Sequence, residues 1–300
     1  MKKIPDYTID AILITGPTAS GKSALAVDLA REHGGEVVNA DSMQVYDTLK
    51  VLTARPDETD MGGIAHHLYG TVPAVQAFST GEWLRAVDPL ISDIRGRGRI
   101  PVFVGGTGLY FKALTGGLSE MPEVPSAIRA KWRHRLVEDG PWALHAELGA
   151  RDPDMADLLS PSDGQRIVRA LEVMDATGRS IGAYQAKSGR GLVDPKRAMK
   201  LIVEPDRALL HDRINRRFAT MLDHGAVDEV EALLKQAPSK DMPVMKAIGV
   251  PQIAALLRGE LDREAVISQA SAATRQYAKR QMTWFRNQMD ETWRRIASGS

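Results

Sequence analysis

Short apolar runs alternate with amphipathic stretches along the first part of the chain. Residues 11–15, 36–40 and 100–104 are mainly apolar, as in strands buried on both faces of a parallel sheet. Helical patterns lie between them, for example at residues 81–88. This alternation predicts an α/β fold with a doubly wound parallel sheet. Because ligands bind such sheets beyond the carboxyl ends of the strands, the loops after these runs are the expected place for a functional site.

The pattern changes after the third strand. From about residue 121, Pro122 and Pro125 interrupt the chain, and Ser126 is expected to cap the first of several amphipathic helices. No strand pattern interrupts these helices up to about Ala176. This texture predicts a helical insertion domain in the α/β core.

The insertion divides the predicted core into two parts. We place the first part of the core at residues 1–120, the insertion domain at residues 121–191 and the return to the core at residues 192–300. The last part carries a short strand pattern at residues 200–203 and a long helical pattern at residues 263–286.

The loop after the first strand carries a complete phosphate-binding pattern, G-x-x-x-x-G-K-[ST], between a buried strand and a helix start. Backbone N–H groups and the helix N-terminus attract an anion, and Lys22 adds a full positive charge. The Ser23 hydroxyl can hold a Mg²⁺ that bridges phosphate oxygens, although Ser23 can also simply cap the helix. The loop refines the prediction to a P-loop kinase-like fold with a phosphate or diphosphate site. Its members are Gly16, Pro17, Thr18, Ala19, Ser20, Gly21, Lys22 and Ser23.

Two further residues follow the second and third strands. Asp41 stands where a carboxylate can hold Mg²⁺ or accept a proton from a nucleophile, although Asp is also a common helix cap. The third strand runs into Gly105, Gly106 and Thr107, so it lacks the Asp that orders Mg²⁺ in many ATPases. Thr107 offers a hydroxyl to a ligand, or else caps a tight turn. The missing Asp argues against an ATPase motor.

Composition narrows the class of protein. Of the 300 residues, 43% are hydrophobic and 26% charged, as in globular proteins, and the absence of Cys excludes disulfides and thiolate metal sites. No apolar run is long enough to span a bilayer, and residues 1–7 lack the apolar core of a signal peptide. We therefore expect a cytoplasmic enzyme without a membrane partner. Adjacent His66 and His67 point in different directions on a regular element, which argues against a metal pair.

Basic residues form local clusters although the net charge is only +1. A basic stripe with interleaved aromatics suits an RNA backbone and its stacked bases, whereas a single cluster is more often a solvated helix face. Several clusters together favour a large polyanionic partner. They are Arg166 and Arg169 on the insertion, Arg213, Arg216 and Arg217 after Asp206, and Arg275, Lys279, Arg280 and Arg286 with Tyr277 and Trp284 on the last helix.

In order and spacing, these segments resemble one family, the tRNA dimethylallyltransferases, also called tRNA isopentenyltransferases. The similarity covers nearly the whole chain, and the set of motifs is specific where the phosphate loop alone is generic. One departure lies at Val250 and Pro251, where the family usually has an aromatic residue followed by Arg or Lys. The tRNA contact expected of that pair is therefore not predicted for this chain. The matching segments are residues 16–23, 39–46, 105–110, 165–172, 213–222 and 274–284.

The resemblance implies a reaction, a cofactor and a set of site residues. A dimethylallyl group would pass from dimethylallyl diphosphate to the exocyclic N6 of the adenosine 3′ of a tRNA anticodon, in a monomeric enzyme that uses Mg²⁺ through Ser23. Asp41 would take the N6 proton, Lys22 and Arg217 would stabilise the leaving diphosphate, and Thr107 would lie near the reacting centre. The residues expected to contact tRNA are Asp41, Ser42, Met43, Gln44, Thr107, Arg129, Gln165, Arg166, Ile167, Val168, Arg169, Arg275, Lys279 and Arg280.

Three rival interpretations remain open at this point. A small-molecule P-loop kinase or NTPase shares the loop and Mg²⁺ but gives no reason for the distant basic helices. A non-catalytic RNA-binding module explains those helices but leaves the phosphate loop and Asp41 without a role. Prenylation of free AMP is the third. The sequence also leaves open whether ATP binds the loop and which tRNAs are modified.

Overall fold

The computed structural model describes residues 9–186 and 189–297, which form two compact units. The first unit, called the core below, contains the chain up to Thr115 and from Leu192 onward. The second, called the insertion unit, is Gly116–Gly191. Residues 1–7, on which the signal-peptide argument depends, lie outside the described residues. Among the described residues, no helix combines the length and the apolar character that crossing a membrane requires.

A six-stranded sheet organises the core, and every neighbouring pair of strands is parallel. Because the strands are parallel, their carboxyl ends meet at one edge of the sheet. The strands are β1 (Ala11–Thr15), β2 (Gly35–Asn39), β3 (His66–His67), β4 (Ile100–Gly105), β5 (Ala198–Glu204) and β6 (Arg294–Ala297). Their order across the sheet is β3-β2-β4-β1-β5-β6.

Helices complete both units. Those that begin in the core are α1 (Lys22–His33), α2 (Glu58–Met61), α3 (Thr80–Gly96), α4 (Gly108–Gly116), α10 (Arg207–Asp223), α11 (Ala226–Lys235), α12 (Val250–Leu257) and α13 (Arg263–Gln288). The insertion unit contains α5 (Ser126–Glu138), α6 (Gly140–Arg151), α7 (Pro153–Leu158), α8 (Gly164–Thr177) and α9 (Ile181–Gln185). A 3-10 helix covers Pro243–Lys246.

Alternate residues of β1 pack against opposite faces of the sheet. Leu13 belongs to a buried cluster with Trp83 of α3 and Phe285 of α13, whereas Ile12 packs in another cluster with Ala26 of α1. Burial on both faces explains why the strand is apolar without interruption. The predicted α/β class, with helices on both faces of a parallel sheet, is confirmed.

Neither edge strand, β3 or β6, was predicted from the sequence. One has only two residues and the other begins with exposed Arg294 and Arg295, so neither forms an apolar run. In β3, His67 Nε2 is hydrogen-bonded to Glu36 Oε2 at 2.7 Å, which gives this histidine a structural partner. Within the described ranges, no group of three or more His, Asp or Glu side chains is placed to hold a metal ion.

The insertion unit folds around Trp132, which is fully buried. Its Nε1 donates to Asp175 Oδ2 at 2.9 Å, and Lys131 and Arg151 donate to the same carboxylate. Burial alone would raise the pKa of Asp175, but these hydrogen bonds lower it to about 2. The carboxylate therefore stays ionised at neutral pH, and it ties α5, α6 and α8 together.

The insertion unit spans Gly116–Gly191, where the sequence predicts an insertion at residues 121–191, and its first and last segments approach each other closely. A Cβ on Gly117 would lie 2.3 Å from the backbone of Gly189, so the approach of the two segments requires glycine. The expected cap of α5 is wrong: Ser126 is the first residue of the helix, and no side chain of the described residues caps that end.

Candidate active site

The phosphate loop joins β1 to α1 through a sharp turn. Ala19 and Gly21 have φ of 62° and 85°, the left-handed region in which successive N–H groups can converge on an anion. A Cβ on Gly16 would lie 2.8 Å from Val203 O, so glycine is needed where the loop packs against β5. Gly21 is the residue before α1 and no side chain caps that end in the described structure, so the interpretation of Ser23 as a helix cap is wrong.

Lys22 lies among groups that perturb its charge. Burial lowers the pKa of its ammonium group to about 8; the Asp41 carboxylate opposes this shift and Arg217 adds to it. The pKa of Arg217 is itself lowered by burial, again against the influence of Asp41. Burial thus disfavours the charged forms of both groups, and the negative charge of a bound diphosphate would favour them.

Asp41 follows β2 in a hydrogen-bonded turn. Asn39 Oδ1 accepts from Asp41 N–H at 2.9 Å, and Asp41 Oδ1 accepts from Met43 N–H at 2.9 Å. The second carboxylate oxygen, Oδ2, lies near Gly106, 3.4 Å from the place that a Cβ would occupy there. Among the described residues, local capping therefore uses one oxygen of Asp41 and leaves the other available for chemistry.

Thr107 joins the ends of β2 and β4. Its N–H donates to Ala40 O at 3.2 Å, and its Oγ1 accepts from Ser42 N–H at 2.9 Å. Gly105 lies so close to Ala40 that a Cβ would stand 2.0 Å from the carbonyl oxygen. The glycines thus permit the close approach, and Thr107 fixes the backbone on either side of Asp41.

A cavity of about 330 Å³ opens beside these groups. It is lined by Thr18 of the phosphate loop, Asp41, Arg217 of α10 and Tyr277 of α13, together with Ser42 and Met43. Gln44, which was predicted with them, instead donates from Nε2 to Thr53 O and Ala54 O at 3.0 and 2.9 Å. Its amide group holds the following turn, and its expected contact with tRNA stays a prediction.

A second, more open space of about 840 Å³ lies beside the phosphate loop. Arg213, Arg216 and Arg217 of α10 line it, with Ser20, whose buried Oγ has no hydrogen-bond partner among the described residues. Arg217 and Ala19 border both spaces, so the phosphate loop lies between them.

Two polar residues of the site were missed from the sequence, Lys246 and Gln281. Lys246, at the end of the 3-10 helix, lines the smaller cavity beside Tyr277, whose pKa is raised by burial and by Asp41, so the phenol stays neutral. Gln281, only 6% exposed, accepts from Thr18 N–H at 3.1 Å and donates to Gly106 O at 2.9 Å. A lysine in a short apolar segment and a glutamine in a basic helix give no chemical signal in the sequence.

From Arg275 onward, the basic residues of α13 line two different surfaces. Arg280 lines the cavity with Asp41, whereas Arg275, Lys279 and Arg286 line a separate groove of about 540 Å³ with Arg207 and His211 of α10. Among the described residues that line this groove there is no carboxylate. Trp284 packs on Gly108, where a Cβ would lie 2.2 Å from its ring, and it is partly buried against the apolar cluster around Trp83.

The predicted tRNA residues of the insertion unit fall into two groups. Arg129, Gln165 and Arg166 are exposed on α5 and α8, and Arg169 is half-buried with Glu172 as an ion-pair partner at 3.3 Å. Ile167 and Val168 are 0% and 5% exposed and belong to the apolar cluster of this unit. The side chains of these two residues therefore serve packing of the unit, and their expected contact with tRNA stays a prediction.

The departure at Val250 and Pro251 has a structural explanation. Val250 is 1% exposed in the core, and Pro251 occupies the first turn of α12, where its missing N–H leaves no hydrogen bond unmade. Gln252 Oε1 accepts from Gly249 N–H at 3.0 Å and completes the helix start. The segment is therefore a well-formed helix N-terminus without an exposed aromatic–basic pair.

Comparison with protein families gives two matches that together span most of the chain. A family model described as IPP transferase matches residues 44–288, and one described as isopentenyl transferase matches residues 9–69. The tRNA dimethylallyltransferase of Rhizobium meliloti is 66% identical over 288 residues, which cover 96% of this chain and 95% of that protein. The one of Agrobacterium fabrum is 64% identical over 296 residues, with 99% of both chains covered.

Solved structures agree with these matches. The full-length tRNA isopentenylpyrophosphate transferase of Bacillus halodurans is 33% identical, with a TM-score of 0.68 and coverage of 97% of this chain and 91% of that one. A eukaryotic dimethylallyltransferase, described in crystallographic snapshots as acting on tRNA, is 27% identical, with a TM-score of 0.78 and coverage of 97% of this chain and 74% of that one.

Proposed function

Since the chain belongs to the IPP transferase family of tRNA dimethylallyltransferases, we propose that it transfers a dimethylallyl group from dimethylallyl diphosphate to N6 of the adenosine 3′ of the anticodon in tRNA. The observation that carries this proposal is the position of Asp41. Its carboxylate lines one cavity with Thr18 of the phosphate loop and with Arg217. An acidic group that can accept a proton thus faces a cationic cradle that can hold a leaving diphosphate.

The cradle stabilises the charge that develops as the leaving group departs. Breaking the carbon–oxygen bond places negative charge on the diphosphate, next to Lys22, Arg217 and the N–H groups at the start of α1. Because burial lowers the pKa of both cations, each one gains from the arriving negative charge. The same residues therefore favour both binding of the diphosphate and cleavage of its bond to the allylic carbon.

The residues fit Mg²⁺ bound through the substrate. Ser23 is exposed at the start of α1, and no cluster of three or more carboxylate or imidazole groups lies within the described residues, so a protein cage for the ion is not formed there. Mg²⁺ commonly keeps several waters and binds through substrate phosphates with one or two protein oxygens, which matches the single hydroxyl of Ser23. When bound, the ion would neutralise charge on the diphosphate oxygens.

The acceptor base would enter the cavity of about 330 Å³ that is lined by Asp41, Ser42 and Tyr277. An adenine N6 amine is a weak nucleophile, so it needs a partner that takes its proton as the new carbon–nitrogen bond forms. Asp41 has one oxygen available for this task. The target base must leave its stack to reach the cavity, as in other enzymes that modify a base.

The basic groove on α13 and α10 and the exposed residues of the insertion unit give tRNA its proposed contacts. Cations without a carboxylate beside them suit phosphates, and shape is the main cue in recognition of an RNA stem. We also propose a cytoplasmic location and a monomeric state, as the resemblance to the family implies.

The decisive experiment incubates the enzyme with labelled dimethylallyl diphosphate and unmodified tRNA, with AMP or ATP in parallel reactions. We expect label in tRNA at the adenosine 3′ of the anticodon, with release of diphosphate. Label in AMP alone would favour the free-nucleotide reaction, and phosphate transfer from ATP without prenylation would favour a kinase. Binding of tRNA without transfer of label would leave a non-catalytic RNA-binding protein.

A further inference from the structure

A buried glutamine connects the two loops that hold the proposed reactants. Gln281 Oε1 accepts from Thr18 N–H at 3.1 Å, and Gln281 Nε2 donates to Gly106 O at 2.9 Å. Thr18 belongs to the phosphate loop, and Gly106 precedes Thr107 in the loop that adjoins Asp41. One amide group thus spans from the diphosphate side of the site to the side of the proton acceptor.

The geometry around this amide leaves little freedom. The Gln281 side chain is 6% exposed, and a Cβ on Gly106 would lie 2.2 Å from its Nε2, so glycine is required opposite it. A backbone N–H on one side demands the amide oxygen and a backbone carbonyl on the other demands the NH₂ group, which fixes the orientation of the amide. No other uncharged side chain of this length supplies a donor and an acceptor in one planar group.

We propose that Gln281 is a positioning residue that sets the distance between the phosphate loop and the Asp41–Thr107 loops, and hence the alignment of the allylic carbon with the adenine N6. The inference rests on the proposed function. It does not require Gln281 to touch either substrate: it acts through the two backbone groups that it holds. Misplacement of reacting groups by about 1 Å can cost a reaction about 10²-fold.

The position on α13 gives the amide a second property. Arg280, the preceding residue, lines the cavity, and Lys279 lines the basic groove. The helix that we propose to contact tRNA through these two cations therefore also carries the link between the loops.

Three variants test the proposal. Gln281→Met keeps the length of the side chain and loses both hydrogen bonds. Gln281→Glu keeps the acceptor for Thr18 but faces Gly106 O with an acceptor, unless the carboxyl is protonated. Ser271→Ala is the matched control, since Ser271 is also buried on α13, 3% exposed, and its Oγ has no hydrogen-bond partner among the described residues.

We expect Gln281→Met to lower the single-turnover rate constant of prenyl transfer about 10- to 100-fold, with a Kd for dimethylallyl diphosphate within about threefold of wild type. Gln281→Glu should recover relative to wild type as the pH falls and its carboxyl becomes a donor, whereas the ratio for Gln281→Met should stay flat. Ser271→Ala should match wild type. A rate within about twofold of wild type, or a loss that follows the drop in Tm, would overturn the proposal.

A second measurement does not depend on activity. In Gln281→Met, Thr18 N–H loses its acceptor, so the peptide that contains residues 16–23 should take up deuterium faster at about one amide. The exchange of this peptide in Ser271→Ala should match that of wild type. Unchanged exchange would overturn the link between the loops. If wild type transfers no label to tRNA, the proposed function fails, and the exchange comparison still decides whether Gln281 holds the phosphate loop.

Discussion

Thr107 Oγ1 accepts the backbone N–H of Ser42 at 2.9 Å, while the Thr107 N–H donates to Ala40 O at 3.2 Å. These two bonds hold the residues on both sides of Asp41. The hydroxyl that could have been a ligand group or a turn cap is therefore part of the framework that fixes the proposed base. Loss of the Thr107 hydroxyl should therefore slow the reaction by displacing Asp41.

The first prediction follows from this hydrogen bond. Thr107→Val has nearly the same shape but cannot accept from Ser42 N–H, so a part-buried donor loses its partner at a cost of about 1–3 kcal/mol. We expect a single-turnover rate at least about tenfold lower, because Asp41 is less well placed. Thr107→Ser retains the hydroxyl and is the control. Equal rates for the Val and Ser variants would show that the bond has no influence on the chemistry.

Strong local chemistry made much of this site predictable. The phosphate loop, Asp41 and Thr107 each follow a buried strand, and the apolar runs β1 and β4 are recognisable because they are covered on both faces. The edge strand β6 escaped because exposed residues give it no pattern, and Gln281 escaped because its partners are backbone groups. Such partners are distant in sequence and leave no trace in residue type.

Burial also distinguishes the side chains within one predicted motif. Residues 165–169 form one segment by sequence resemblance, yet on α8 the side chains of Ile167 and Val168 point into the insertion core while Gln165 and Arg166 face solvent. A motif identifies a segment, but the helical period decides which of its side chains face solvent and are available to contact RNA. The same reasoning separates Arg280 from Lys279 on α13.

The second prediction concerns the positive charge of the phosphate loop. Lys22→Ala should remove a charge-assisted contact to the leaving diphosphate and cost about 2–4 kcal/mol of transition-state stabilisation. Circular dichroism should show a fold like that of wild type, since Lys22 bonds only to Pro17 O of its own loop among the described residues. Near-normal turnover of dimethylallyl diphosphate in this variant would contradict the assignment of the loop.

The third prediction is a pH dependence of binding. The pKa of Lys22 in the free protein is lowered to about 8, and the bound diphosphate favours the charged form, so binding takes up a proton above that pH. The Kd for dimethylallyl diphosphate should therefore stay nearly constant below about pH 8 and rise up to about tenfold per pH unit above it. Isothermal titration across this range measures the slope.

Lys22→Arg is the control for this pH dependence. A guanidinium group keeps its charge throughout the range, so the Kd of this variant should be flat with pH even if its affinity is lower. A wild-type Kd that does not change between about pH 7 and about pH 9.5 would mean that Lys22 does not titrate against the ligand.

The fourth prediction concerns proton acceptance. Asp41→Asn preserves the shape of the side chain and can still accept from Met43 N–H through its amide oxygen, but it cannot take a proton from N6. The single-turnover rate should fall about 10²-fold or more, while affinity for the anticodon stem-loop should change much less. If the rate matches that of wild type, Asp41 serves only as a cap of its turn.

The fifth prediction separates a tRNA enzyme from a kinase by means of the basic groove. Arg275 and Lys279 line this groove and do not line the cavity beside the phosphate loop. Each phosphate that a cation neutralises releases condensed counterions, so the log–log slope of stem-loop affinity against salt should flatten by about 0.7–0.9 for each phosphate left without its cation. Arg275→Ala with Lys279→Ala should therefore weaken binding and reduce the slope, with binding of dimethylallyl diphosphate nearly intact.

The matched control removes the same charge elsewhere in the core. Lys235 and Arg258 are exposed and form local ion pairs with Glu231 and Glu260, and neither lines the groove. The control variant is Lys235→Ala with Arg258→Ala. Fluorescence anisotropy of a labelled anticodon stem-loop across a salt series compares it with the groove variant, Arg275→Ala with Lys279→Ala. If both lower affinity equally, net charge and not the groove attracts RNA. If neither changes affinity or slope, the groove does not contact tRNA, and failure of wild type to bind the stem-loop even at low salt would contradict the tRNA substrate itself.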